Sequence, residues 1–147
     1  MSDSASSTEL PGYTAHVPVR WSDMDVIQHI NHAKMVTLLE ESRIDWLSST
    51  GPSTASMLTS AIVAHLDLRF KSALKHSDSP LAVTMWIEKV RSVDLTIRYE
   101  VRAAGAAPDS KPAVTAMTQM AIGDEKTQSL RRLTPEERDL LSQWVRV

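Results

Sequence analysis

The sequence predicts an α+β domain in which one long helix lies against a five-stranded, mostly antiparallel sheet. Three observations carry this expectation. Four successive segments between residues 62 and 122, and an earlier one over 13–22, alternate apolar and polar residues with a period of two, the pattern of strands that bury one face. One stretch, residues 32–48, has helical spacing and the length of a core helix. The later strands follow one another with no helix between them, so no βαβ repeat forms and antiparallel pairing follows.

Taken in order, residues 1–12, "MSDSASSTELPG", are Ser-rich and nearly free of apolar side chains. They read as a flexible N-terminal arm ahead of a single domain over 13–147. In the first strand Tyr13, Ala15, Val17 and Val19 alternate with Thr14, His16, Pro18 and Arg20. Pro18 cannot donate to a ladder, so this strand belongs at an edge or carries a bulge. Asn31 is a good N-cap for the helix, because its side chain can accept from an orphan N–H of the first turn. Lys34, Thr37, Glu41, Asp45 and Ser48 make one polar stripe; Met35, Val36, Leu38, Leu39, Trp46 and Leu47 cover most of the remaining circumference. A helix that apolar is expected to be largely surrounded by protein. Gly51 and Pro52 stop it.

The four later strands are marked by Ile62, Ala64, Leu66, Leu68 and Phe70; by Leu81, Val83, Met85 and Ile87; by Leu95, Ile97, Tyr99 and Val101; and by Val114, Ala116, Thr118, Met120 and Ile122. The breaks "KHSDSP", "RSVD" and "GAAPDSKP" are turn-like. At the end, Thr134, Pro135 and Glu137 form a capped helix start, and Leu140, Leu141 and Trp144 give it a narrow apolar stripe suited to packing on the outside.

Composition narrows the function classes. The chain has 147 residues, 42% of them apolar, enough for a proper core. A net charge of −2 argues against nucleic acid as the main partner. With no cysteine there is no disulfide framework and no thiolate metal site, which fits a cytoplasmic protein. No apolar run is long enough to span a membrane, and the start lacks the regions of a secretory signal.

The segment "RWSDMDVIQHINHAK", residues 20–34, crowds acids and imidazoles into the crossing from strand to helix. It brings Asp23, Asp25 and His29 close to a helix N-terminus, where unpaired N–H groups and a partial positive charge can hold an oxyanion. A carboxylate there can attack a carbonyl carbon, or activate a water to do so. The same residues also suit a purely structural role: Asp23 and Asp25 as turn formers, His29 as a hydrogen-bonded structural histidine, His32 as a surface residue. Asp25, His29 and His32 are also of the types that bind zinc. No G-x-S-x-G elbow accompanies the many serines, and four glycines leave no Gly-rich phosphate loop.

The stretch "VRWSDMDVIQHINHAKMVTLLEESRIDWL" resembles the N-terminal signature of the hotdog-fold acyl-CoA thioesterases of the 4-hydroxybenzoyl-CoA thioesterase type. The matching features are a strand ending in D-x-D (Asp23, Asp25), a His four residues on (His29), an Asn two beyond it (Asn31), and E-x-x-R on the helix in "EESR", with Glu40, Glu41 and Arg43. The resemblance implies a hotdog fold and thioester hydrolysis without metal or organic cofactor. It makes Asp25 the catalytic carboxylate, the backbone N–H of His32 the oxyanion contact, His29 an orienting residue and Asn31 the helix cap. Asp23 holds the turn. In another subfamily the catalytic carboxylate lies on the central helix, which gives Glu41 a second reading; the first is a structural ion pair, with Arg43 or a partner chain.

Coenzyme A is expected at basic residues, Lys71, Lys75, Lys89 and Arg91, with Ser92 beside them; "KVRS" is the best placed. Relatives commonly carry glycine just before the His, where Gln28 stands here, and often an aromatic early in the helix, where Met35 and Val36 stand. That departure implies a roomier, aliphatic acyl pocket, with Met24, Val26, Ile27, Met57 and Leu58 as its lining. Self-association as a dimer or tetramer follows from the resemblance, with two subunits building each site. Other functions weighed are an acyl-carrier-protein thioesterase, a hotdog dehydratase, whose His-containing signature is missing, and a non-catalytic acyl-CoA-binding domain, which has no need of Asp25.

Overall fold

The computed structural model describes residues 10–147. The arm expected over 1–12 falls mostly on residues 1–9, outside the described residues. At its end Pro11 is held, its carbonyl accepting from Arg146 Nε at 2.7 Å.

Strands β1 (Tyr13–Val17), β2 (Ala61–Phe70), β3 (Leu81–Val90), β4 (Asp94–Arg102) and β5 (Val114–Ile122) form one antiparallel sheet in the order β1-β3-β4-β5-β2. Helix α1 (His32–Ser49) lies on its inner face; α2 (Pro52–Ala55) follows directly, and α3 (Pro135–Ser142) packs outside through Leu141. This is the hotdog arrangement that the resemblance implies. β1 stops at Val17 and takes one edge of the sheet, as Pro18 requires.

The alternation read for the three central strands matches their burial. Leu81, Val83, Met85 and Ile87 are fully enclosed, as are Leu95, Ile97, Tyr99 and Val101. Leu38, Leu39 and Trp46 of α1 close the core against them, each worth roughly 1.5–3 kcal/mol in apolar area removed from water. One polar chain crosses this core. Arg43 Nη1 donates to Tyr99 Oη at 3.2 Å, and that hydroxyl lies 2.7 Å from Thr118 Oγ1. Burial raises the Tyr99 pKa above its ordinary value, against the opposing pull of Arg43 and Thr118.

Two expectations are corrected. β2 shows the same alternation as its neighbours, yet Ile62, Val63, Leu66 and Phe70 are exposed, because β2 is the far edge strand and α1 does not cover it. Likewise α1 is buried on one side only: Met35, Leu38, Leu39, Ser42, Arg43, Trp46 and Leu47 face the protein, while Ile44 is 48% exposed. Arg43 does not pair with Glu41. It lies on the opposite flank, and Glu41 reaches Arg20 at 3.8 Å instead.

Candidate active site

The crossing from β1 to α1 is built by short-range hydrogen bonds from its own polar residues. Asp23 is 1% exposed, and its Oδ2 accepts from Arg20 N at 2.9 Å. Its carbonyl accepts from Asn31 N at 2.9 Å, which ties the start of the crossing to the start of α1. Between them Met24 and Ile30 bridge antiparallel, so residues 24–30 form a small hairpin. Asp25 sits at its base: Asp25 O accepts from Gln28 N at 2.9 Å, and Oδ1 accepts from Ile27 N at 3.1 Å and His29 N at 3.2 Å. Gln28 closes the turn at φ 61, the left-handed region that glycine occupies without cost. The residue that replaces the relatives' glycine therefore still adopts a glycine-like backbone.

Asn31 caps α1 as the sequence predicts, its Oδ1 accepting from Ala33 N at 2.8 Å. His32 is the first helical residue, and its N–H has no acceptor among the described residues. Asp25, His29 and His32 open onto one cleft of about 330 Å³, whose other wall is Phe70–Leu74 with Val114 beneath. The walls are joined by Ile30 N donating to Leu74 O at 2.8 Å, and Lys71 N is held by Ala113 O at 2.8 Å. Trp21 and His76 stack at 4.5 Å between centroids, 11° from parallel, and bind the two loops from outside.

Of the residues the sequence singles out, Asp25, His29, His32 and Lys71 line this cleft. His29 braces the hairpin through its main chain rather than its imidazole. The three metal-binding side-chain types Asp25, His29 and His32 do not converge as a ligand set among the described residues. Met57 is not an acyl-pocket residue of the protomer: it is 1% exposed, drawn into the core. Val26 is fully exposed at the hairpin tip, and Met24 packs against the core; neither lines the cleft, whereas Ile27 does. Leu58, Lys89, Arg91 and Ser92 lie at the other end of the sheet, where Val93 O accepts from Ile122 N and Ala61 pairs with Ile122. The wall Phe70–Leu74 beyond Lys71 escaped the sequence reading. Its signal was the end of the "LRF" strand, but only the strand order brings that end to the start of α1.

The sequence profile of the thioesterase-like superfamily matches residues 19–145. The chain belongs to that superfamily. Thioester hydrolase, the enzyme class expected from the sequence, is the class of this family. A search of curated proteins finds no significant relative of this thioesterase-like chain. Among solved structures, a thioesterase-superfamily protein from a Jannaschia species superposes with a TM-score of 0.80 at 16% identity, over 100% of this chain and 99% of that one. A probable thioesterase from Escherichia coli gives 0.73 at 24% identity, over 92% and 99%. A Thermus thermophilus thioesterase complexed with coenzyme A and zinc gives 0.72 at 18%, over 87% and 90%. At these identities the superpositions establish the shared fold.

Proposed function

We propose that this thioesterase-like chain hydrolyses acyl-CoA thioesters with Asp25 as the catalytic carboxylate, and that within the superfamily it is of the 4-hydroxybenzoyl-CoA thioesterase type. The observation that carries this reading is that Asp25 and the start of α1 open onto the same cleft. A thioester carbonyl placed there has its oxygen toward the unpaired His32 N–H and the positive end of α1, which stabilise the developing oxyanion. Asp25 Oδ1 is held by two backbone N–H groups, while Oδ2 has no partner among the described residues. Oδ2 either attacks the carbonyl carbon, expelling the CoA thiolate and leaving an anhydride for water to cleave, or takes a proton from a water that attacks in its place. His29 and Asn31 orient; they hold the hairpin and the helix start.

The cleft is lined chiefly by aliphatic groups, Ile27, Ile30, Met35, Leu74 and Val114, which favours an aliphatic acyl chain over an aryl one. The CoA-bound Thermus thermophilus neighbour supports a CoA carrier. Lys71 at the cleft is the phosphate contact this protomer supplies. The remaining basic residues are brought by a second subunit. β2 is a ten-residue edge strand with apolar side chains in the open, a surface that folded proteins seldom leave unpaired. Antiparallel pairing of β2 with β2 of a second copy sets the Phe70 end of one beside the Ala61 end of the other. Leu58, Lys89, Arg91 and Ser92 of the partner subunit then approach the Asp25 cleft.

The test is thiol release from short, medium, long and aromatic acyl-CoAs and from acyl-carrier protein, run beside Asp25→Asn. Turnover of aliphatic acyl-CoA that vanishes in the variant supports the proposal. Preference for aryl thioesters overturns the aliphatic assignment. Binding without thiol release by the wild type marks a non-catalytic acyl-CoA-binding domain.

A further inference from the structure

The flank of α1 that faces β2 carries a charge without a counter-charge. The other flank is fixed against β1, where Tyr13 Oη donates to Asp45 at 2.9 Å and Glu41 lies 3.8 Å from Arg20. Across the helix, at spacings of four, three and four, stand Val36, Glu40, Arg43 and Leu47. Arg43 is 8% exposed, and among the described residues its single hydrogen-bond partner is the Tyr99 hydroxyl. A guanidinium has five donors and stays charged, and no carboxylate pairs with it among the described residues. A cation drawn that far from water is strongly destabilising unless an anion meets it.

The surface beside Arg43 is uncovered and apolar. Val63, Leu66 and Phe70 are 41%, 37% and 52% exposed, although they pair in register with the buried Met120, Thr118 and Val114 and so face inward. Leu66 is level with Arg43, since Thr118 is its partner on β5 and also the end of the Arg43–Tyr99–Thr118 chain. An occupant that fits must bring apolar surface with a carboxylate set in it. Helix α1 itself carries both. Val36 and the exposed Ile44 flank Glu40, which is exposed and has no ion-pair partner among the described residues.

We infer that the α1 helices of two copies pack antiparallel across a twofold axis, each Glu40 paired with Arg43 of the partner subunit. This rests on the β2-edge dimer proposed above and adds the contact that fixes its register. A twofold contact is self-complementary. Setting Glu40 opposite Arg43 of the partner subunit sets Arg43 opposite Glu40 of the partner subunit, and Val36 opposite Leu47 of the partner subunit. The axis then falls level with the middle of β2, where antiparallel β2 pairing also requires it. One arrangement satisfies both isolated charges and covers the open strip; a bound acyl chain would cover the strip and leave both charges alone.

Sedimentation equilibrium on the full chain tests this. The wild type is expected to be dimeric. Glu40→Arg, on an exposed face, sets arginine against Arg43 and raises the dimer dissociation constant about a hundredfold or more. Arg43→Glu produces the mirror-image repulsion. Mixing the two variants restores dimers, as heterodimers in which both crossing pairs are opposite in sign; a pairing within one helix gives no such rescue. A wild-type dimer unmoved by Glu40→Arg overturns the inference even if Arg43→Glu does not fold, and so does a mixture of two folded variants that stays monomeric. A monomeric wild type overturns the β2-edge dimer instead.

Discussion

Asp25 and His29 hold each other through two backbone-level bonds: Asp25 N donates to His29 O at 2.9 Å, and His29 N donates to Asp25 Oδ1 at 3.2 Å. The carboxylate is therefore a turn former and a cleft residue at once, which separates two substitutions. Asn keeps an oxygen able to accept from Ile27 N and His29 N, while losing the charge. Asp25→Asn is expected to retain its melting temperature and lose about 10²–10⁴-fold in kcat/KM. Asp25→Ala loses both, with a further stability cost of about 1 kcal/mol from the missing bonds. Thermal melts beside thiol-release kinetics distinguish the two. An active Asp25→Asn protein would remove the carboxylate from the mechanism.

Gln28 occupies φ 61 in the same hairpin. For an L-residue with a side chain, the left-handed region costs about 1–2 kcal/mol, of which glycine's greater unfolded-state entropy offsets roughly half. Gln28→Gly is expected to raise stability by up to about 1 kcal/mol, and the β-branched Gln28→Val to lower it by about 1–2 kcal/mol. Chemical denaturation of the three proteins measures the order Gly, Gln, Val; the reverse order would mean that the turn is held by the Gln28 side chain.

What the sequence made legible was short-range chemistry. Asn31 and the Thr134–Glu137 box cap their helices as read, because a cap needs only residues two or three apart. The alternation in β3, β4 and β5 matches burial because each has a neighbour on both sides. The same alternation in β2 misleads, since edge position depends on a strand order that no local pattern encodes. The candidate site divides likewise. Its 23–32 half is continuous in sequence, whereas Phe70–Leu74 arrives through that strand order. Arg43, which stands two residues from Glu41, lies on the other flank of α1, where only the sheet reveals what it faces.

Away from the cleft, Arg131 and Glu137 form a bidentate pair, with both N···O distances 2.9 Å, at the start of α3. The hydrogen bonds from Arg131 hold the Glu137 carboxyl below the ordinary glutamate range, against the opposing effect of burial. A carboxyl depressed in the folded state contributes stability above its unfolded pKa, and that contribution is lost as pH falls through the folded one. Wild-type stability is therefore expected to decline as pH drops below about 4.5, with a shallower decline in Glu137→Gln. At neutral pH the variant should be about 1–2 kcal/mol less stable. Denaturation midpoints from pH 7 to pH 3 check both. Parallel curves would show that the pair adds nothing to the folded state.

The oxyanion role proposed for His32 belongs to its main chain, so the informative substitution deletes an N–H and leaves the helix. Proline is well tolerated at the first helical position, where its fixed φ suits the helix and its missing N–H had no intrahelical partner. It also demands an extended residue before it, and Asn31 already sits at φ −62, ψ 139. His32→Pro should therefore keep α1, the Asn31 cap and the melting temperature, and lose about 10²–10³-fold in kcat, the effect of removing one oxyanion donor. His32→Ala retains the N–H and should keep most of the activity. If Ala proves as damaging as Pro, the imidazole rather than the backbone makes the contact. If neither is damaging, the oxyanion lies elsewhere along the cleft.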